Sequence, residues 1–375
     1  MKLAVISDVC GYSWSGSEEL WLQVALKALA DGAEVSACLH QDLHTGKPLA
    51  AFRARGGELS SWSRCRIAKL ELLRQSIRPN FSRKNLGSPD AILISAGSLP
   101  SLTCAPGLID FLRKCDVPVV VLCQFNTDLL VMSKSGREAI GALLQQAAKV
   151  WFVSEQNHQV ARRQFAMDLD QAEVVYNPLR TVFDSPLPWP VGSKCPVFAC
   201  VARMETVWKG QDLLVDILSD DVWASRSWKL RFYGEGPDLE RVRKWTTHLG
   251  LGNRVEFLGY VRGLVDIWQD ASLMVLPSRA EGTPLAVLEA MMCGRPVVTT
   301  NVGGNSEVLE DGVTGFLAEA ATPSSFGRAL ERAWQECNRW ESMGHAGHLR
   351  ASRLAKTNPS ARIWTSLQDL VKLEN

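Results

Sequence analysis

The sequence predicts an α/β protein of two Rossmann-like domains, each a parallel sheet covered by helices, with the sheets facing a central cleft. Three observations lead there. Short β-branched runs alternate with longer helical patterns from end to end, which is the rhythm of βαβ units. The 375 residues suffice for two domains, each with its own core. The rhythm breaks once, at Pro178, Pro186, Pro188, Pro190 and Pro196, a proline density that strand and helix interiors do not tolerate. The first domain is therefore placed at 1–190, the second at 191–355, and a final helical segment at 356–375.

In the first half the run L-A-V-I gives a strand at 3–6, followed by a helix over about 17–30 and a strand at 34–39. Further strands are predicted at 91–95, 117–123, 150–153 and 173–176. After the prolines the alternation restarts, with strands at 197–202, 229–233, 254–257, 273–276, 296–300 and 315–318. Ile363, Leu367, Leu370 and Val371 sit at helical spacing, which suits a last amphipathic helix.

Composition excludes several classes. With 46% apolar and 22% charged residues and a net charge of +1, the chain is neither disordered nor a nucleic-acid coat. The apolar run after Lys2 is too short for a secretory signal, and no run approaches the ~20 residues of a membrane span. Ten cysteines without a Cys-x-x-Cys pair read as reduced thiols, mostly in the core, of a cytoplasmic protein. The six histidines form no convincing metal set; His345 and His348 lack an obvious third ligand, and no metal is expected. Between residues 53 and 84, nine Arg or Lys face only Glu58 and Glu71. That surplus suggests peripheral contact with an anionic surface, such as the inner membrane face, or a phosphorylated acceptor, although cations and apolar residues are interspersed and a solvated basic face is the alternative.

The most informative stretch is P-S-R-A-E-G-T-P-L-A-V-L-E-A-M-M-C-G, from Pro277 to Gly294, where a strand ends and a helix begins. Thr283 suits the cap, Pro284 the first helical position, and Gly294 the residue past the end. The helix start would direct its amides and about half a positive charge at an anion in the cleft. Glu281 precedes that helix and Glu289 lies five residues past Pro284, or ~8 Å along the axis. One carboxylate can face the reacting end of the bound molecule and the other accept hydrogen bonds from a diol. Otherwise Glu281 serves the helix dipole and Glu289 a solvated face.

A second anion signal is Arg203, at a strand end, with Lys209-Gly210 opening the next helix. Two cations at the carboxyl edge of a parallel sheet balance a diphosphate; the plainer reading is two surface cations. The segment G-Y-S-W-S-G-S-E from Gly11 has phosphate-loop spacing but ends in Ser17 and Glu18 rather than Lys and Ser or Thr, and the first strand is not followed by Gly-x-Gly-x-x-Gly. P-loop ATPase and dinucleotide oxidoreductase readings lose their support.

Together, Arg203 with Lys209-Gly210, Y-G-E-G-P ending at Pro237, R-V-E-F-L-G-Y-V ending at Val261, E-G-T-P-L-A-V-L-E, V-G-G ending at Gly304 and D-G-V-T-G-F ending at Phe316 resemble the family 4 glycosyltransferases, retaining enzymes of GT-B fold. The resemblance implies a nucleoside-diphosphate sugar donor bound by the second domain, an acceptor bound by the first, and a last helix that crosses back to the first. It implies diphosphate binding by Arg203 and Lys209, contacts to diphosphate and sugar from Glu281, Gly282, Thr283, Pro284 and Leu285, and ribose binding by Glu289. Gly16, with Ser17 beside it, would sit near the phosphates, and Val261 near the base. Glu281, Arg203 and Lys209 would carry the chemistry, without a metal or other cofactor. The family usually places a histidine after a first-domain strand; here the region reads C-Q-F-N-T-D, so that Gln124 or Asn126 could bind a sugar hydroxyl but not carry a proton. The expectation is a retaining glycosyltransferase with a glycan, lipid-linked or small-molecule acceptor, in cell-surface polysaccharide or glycoconjugate biosynthesis. A non-catalytic nucleotide-sugar-binding subunit and a sugar-nucleotide epimerase are the alternatives.

Overall fold

The computed structural model describes residues 1–10, 14, 16–43, 48–62, 86–104, 107–190 and 195–374. It divides into two compact units, Met1–Pro178 with Asn358–Asn375, and Leu179–Thr357.

The first unit is built on a seven-stranded parallel sheet: β1 (Lys2–Ser7), β2 (Glu34–His40), β3 (Glu58–Trp62), β4 (Ala91–Ala96), β5 (Val119–Cys123), β6 (Lys149–Phe152) and β7 (Ala172–Val174), in the order β3-β2-β1-β4-β5-β6-β7. The second carries β8 (Val197–Val201), β9 (Lys229–Tyr233), β10 (Val255–Phe257), β11 (Leu273–Leu276), β12 (Val297–Thr300) and β13 (Gly315–Ala318), in the order β10-β9-β8-β11-β12-β13, again parallel. Central strands covered on both faces read as near-continuous apolar runs, as β5 does throughout and β4 does apart from Ser95; every residue of both is buried. The two-domain parallel α/β expectation holds, and every predicted strand is present within a few residues. The sequence reading missed β3, E-L-S-S-W, because among the described residues it lies at the sheet edge beside β2 and buries little beyond Trp62. β5 starts at Val119 rather than 117, after Pro118, which has no amide to give the ladder.

The helix Pro359–Glu374 belongs to the first unit: Ile363, Trp364 and Leu367 are buried with Leu20, Trp21 and Val24 of the helix Gly16–Ala30, and Trp364 Nε1 donates to Asp31 at 2.8 Å. Residues 179–190, which the proline pattern assigned to the first domain, pack with the second. Leu179, Phe183, Leu187 and Trp189 lie against its core. The fully buried Arg295 guanidinium donates to the carbonyls of Pro188 (2.7 Å), Trp268 (3.0 Å) and Cys293 (3.1 Å). Burial with carbonyl partners rather than a carboxylate lowers its pKa to about 10. Cys38, Cys123, Cys200 and Cys293 are buried thiols as read from the sequence, whereas Cys337 is exposed. No helix among the described residues is long and apolar enough to cross a membrane. Of the basic segment at 53–84, residues 63–84 lie outside the described residues, and with them all of its cations except Arg53 and Arg55.

Candidate functional site

In the second unit the chain moves from β8 outward through β9 and β10, then returns to β11 on the other side of β8 and continues through β12 and β13. The strand order therefore reverses between β8 and β11. Loops leaving the carboxyl ends of strands part at such a point, where open α/β sheets bind ligands. Arg203 and Lys209 lie on the segment after β8, and Glu281 on the loop after β11.

Glycines set how closely these loops approach. Lys209 ends the short helix Thr206–Lys209, and Gly210 follows in the left-handed region, at φ +66°. A Cβ there would lie 2.2 Å from the Pro277 carbonyl oxygen, so only glycine lets the two segments touch. The Arg279 amide donates to the Trp208 carbonyl at 2.7 Å, and its guanidinium donates to the Thr206 carbonyl and, through two nitrogens at 2.9 and 3.3 Å, to the Asp212 carboxylate. On the other side, a Cβ on Gly303 (φ +55°) would come within 2.2 Å of the Glu281 carbonyl oxygen, and the Gly304 amide donates to the Gly282 carbonyl at 2.9 Å. The G-E-G-P turn packs equally tightly on residues 202–204, with the Met204 amide bound to the Glu235 carbonyl at 3.0 Å.

Held this way, Lys209 Nζ lies 2.7 Å from Glu281 Oε1, and Ser278 Oγ donates to the same oxygen at 2.6 Å. Ser278 is fully buried and Glu281 only 7% exposed. The Ser278 carbonyl accepts from Thr300 Oγ1, and Asn305 Nδ2 donates to Thr299 Oγ1 and the Thr300 carbonyl at 3.0 and 2.8 Å. A buried polar chain thus runs from β12 to the Lys209–Glu281 pair. Arg203 pairs through Nε with Glu205 Oε2 at 3.2 Å.

Beyond Glu281 the helix spans Leu285–Met292, so Pro284 occupies the cap position rather than the first helical one. Its φ of −81° and ψ of 76° are not helical, and Thr283, the predicted cap, lies one residue before it. Gly294, at φ +74°, does follow the helix end. Gly282, Thr283 and Pro284 are buried and Leu285 half-buried. Glu289, half-buried on this helix, has its pKa pushed up to about 7 by burial, opposed in part by the Arg180 cation. Val261, after β10, is half-buried against the core of the same unit.

The remaining predicted residues belong to the first unit. Gly16 and Ser17 open the helix Gly16–Ala30 and are half-buried; of the loop before them, residues 11–13 and 15 lie outside the described residues. Glu18, which stands where a phosphate loop has Ser or Thr, points into the protein. It is fully buried, accepts from Trp21 Nε1 (2.7 Å) and Ser7 Oγ (3.1 Å), and burial raises its pKa to about 7. Gln124 and Asn126, after β5, are also buried, at 4% and 2% exposure. Asn126 Nδ2 donates to Gln164 Oε1 at 3.0 Å, and Asn157 Nδ2 donates to the Asn126 carbonyl at 2.9 Å, so Asn126 is engaged inside the unit. Gln124 Nε2 reaches Ser95 Oγ at 3.4 Å, while its Oε1 has no hydrogen-bond partner. His348 is buried with Nδ1 2.7 Å from the Met292 carbonyl, and His345 is exposed on the helix Trp340–Ala355.

Sequence reasoning did not single out Ser278, Glu205, Arg279 or Asp212. Ser278 and Arg279 stand inside the stretch that was read, but nothing in their spacing shows which partner each would meet.

The whole chain superposes on the HepE protein of Anabaena, solved in complex with UDP, with a TM-score of 0.71 at 17% identity, covering 99% of this chain and 100% of that one. The fold is thus the one found in GT-B glycosyltransferases. Among curated proteins, a 130-residue stretch is 35% identical to an exopolysaccharide phosphotransferase of Streptomyces coelicolor, covering 34% of this chain and 14% of that protein. A 164-residue stretch is 28% identical to the lipopolysaccharide 1,6-galactosyltransferase of Escherichia coli, covering 42% and 45%. The matches thus span less than half the length of these relatives. The family model described as Glycosyl transferases group 1 matches residues 195–336, the stretch that holds Arg203, Lys209, Glu281 and Glu289.

Proposed function

We propose that the protein is a retaining, metal-independent glycosyltransferase of the family 4 type, moving a sugar from a nucleoside-diphosphate sugar to a glycan or lipid-linked acceptor in cell-surface polysaccharide biosynthesis. The observation that carries this reading is the Lys209–Glu281 pair, held at 2.7 Å where the strand order of the second sheet reverses, with Arg203 on the same loop. Lys209 and Arg203 bind the diphosphate and stabilise the negative charge that grows on it as the glycosidic bond breaks. Glu281 and the backbone of 282–285 hold the sugar. Glu289, titrating near neutrality, can accept hydrogen bonds from the ribose hydroxyls or donate one when protonated. The departing phosphate oxygen takes the acceptor's proton on the face from which it leaves, so the sugar keeps its anomeric configuration. The first unit takes the acceptor, and uridine is the first base to test, because HepE was solved with UDP.

The test incubates the protein with uridine, guanosine and adenosine diphosphate sugars and candidate acceptors, and follows the product's anomeric proton by NMR. Transfer with retained configuration, lost in Glu281→Ala, is expected; inverted product would remove the retaining assignment, and an inert protein that still binds a sugar nucleotide would favour a binding subunit. One observation favours that second reading: where the family usually has a histidine, Gln124 and Asn126 are buried carboxamides that carry no proton.

A further inference from the structure

We propose that Glu205 is a built-in counter-charge that keeps the second unit's hold on a diphosphate weak enough for the nucleotide product to leave. The inference rests on the donor-binding reading above and adds a residue to it. Arg203 and Lys209 bring two positive charges to the loop after β8, and Glu205 and Glu281 pair with them at 3.2 and 2.7 Å. The four side chains are formally neutral together, so a diphosphate arriving there meets two carboxylates as well as two cations.

The carboxylates differ. Glu281 is buried and fixed by Ser278 within the chain of hydrogen bonds from β12. The Glu205 side chain is 18% exposed, and the turn it occupies is held by its main chain. Its amide donates to the Arg203 carbonyl at 2.8 Å, and its carbonyl accepts from the Trp208 and Lys209 amides at 3.1 and 3.0 Å. Any residue other than proline supplies those three bonds, so what the glutamate adds is its negative charge beside the Arg203 guanidinium. A carboxylate that close to a cation lowers the field the cation offers a second anion, through Coulomb repulsion that is only partly screened at a half-exposed site.

The test measures equilibrium binding and dissociation rates of uridine and guanosine diphosphates with wild type, Glu205→Gln and Glu205→Ala, using Glu240→Gln on the same unit as the charge control. Both Glu205 variants are expected to bind about three- to tenfold more tightly at low ionic strength, with slower dissociation. The gain should shrink as salt is added, and Glu240→Gln should match wild type. A variant that merely damaged the fold would not gain affinity. Unchanged or weaker binding in variants that melt at the wild-type temperature overturns the role of Glu205, as does an equal gain in Glu240→Gln. If the wild type binds neither nucleotide, the donor-binding reading fails and this inference falls with it.

Discussion

The two units place different chemistry at the same edge of similar sheets. After β8 and β11 the side chains are charged and paired: Arg203 with Glu205 within one loop, and Lys209 with Glu281 and Arg279 with Asp212 between segments. After β1 and β5 in the first unit several polar groups are buried and held by hydrogen bonds: Asp8 by the Gly97 amide and Ser101 Oγ at 2.6 and 2.5 Å, Glu18 by Ser7 and Trp21, and Asn126 by Gln164. Two similar parallel α/β sheets thus carry loops of different character, one with paired charges and the other with buried carboxyl and carboxamide groups fixed by hydrogen bonds. The difference lies in loop residues, not in the strands.

Removing both cations of the second edge should test this contrast most strongly. Arg203→Ala/Lys209→Ala is expected to lose roughly 3–6 kcal/mol of nucleoside diphosphate binding, at about 1.5–3 kcal/mol for each charged hydrogen-bonding partner. Isothermal titration would check it; affinity that survives would mean the anion binds elsewhere, and the comparison would fail.

Next in size is the buried carboxyl of the first unit. Because the Glu18 pKa is raised in the folded protein, its contribution to stability is complete below the ordinary glutamate pKa and is lost as pH climbs toward about 7. Between about pH 5 and 8 the wild type should lose up to about 3 kcal/mol that Glu18→Gln retains. Glu289 titrates alike in both proteins and cancels in the difference. Urea unfolding of the two proteins across that range would show parallel curves if Glu18 were in fact solvated.

The smallest effect concerns the support beneath Glu281. Ser278→Ala should cost about 1 kcal/mol of stability, the typical net value of one hydrogen bond. It should lower kcat with little change in KM for the sugar nucleotide, since Ser278 orients Glu281 without touching the diphosphate itself. A raised KM with unaltered kcat would assign Ser278 to binding instead.

Most of the fold was legible because burial on both faces forces β4, β5 and β11 into largely apolar runs and β12 into a β-branched one, and glycine past a helix end marks where Leu285–Met292 stops. β3 escaped because an edge strand needs no such run. Within the site, Arg203, Lys209, Glu281 and Glu289 could be picked out by residue type and position relative to strand and helix ends. Their pairing could not, since Lys209 and Glu281 stand 72 residues apart and each by itself is also an ordinary surface charge. Glu18 shows the opposite failure: the helix was legible, but not that its Glu18 would face the core beside Trp21.

Alone, the sequence determined the order of strands and helices, the two-sheet plan and the kinds of group available at each loop, because these follow from periodicity and propensity over a few residues. Only the tertiary structure decided that Glu281 shares one oxygen between Lys209 and Ser278, that Pro284 caps rather than begins its helix, and that residues 179–190 pack with the second unit. Those outcomes depend on which distant segments the sheet order brings together and on the clash a Cβ at Gly210 or Gly303 would cause, neither of which a local pattern contains.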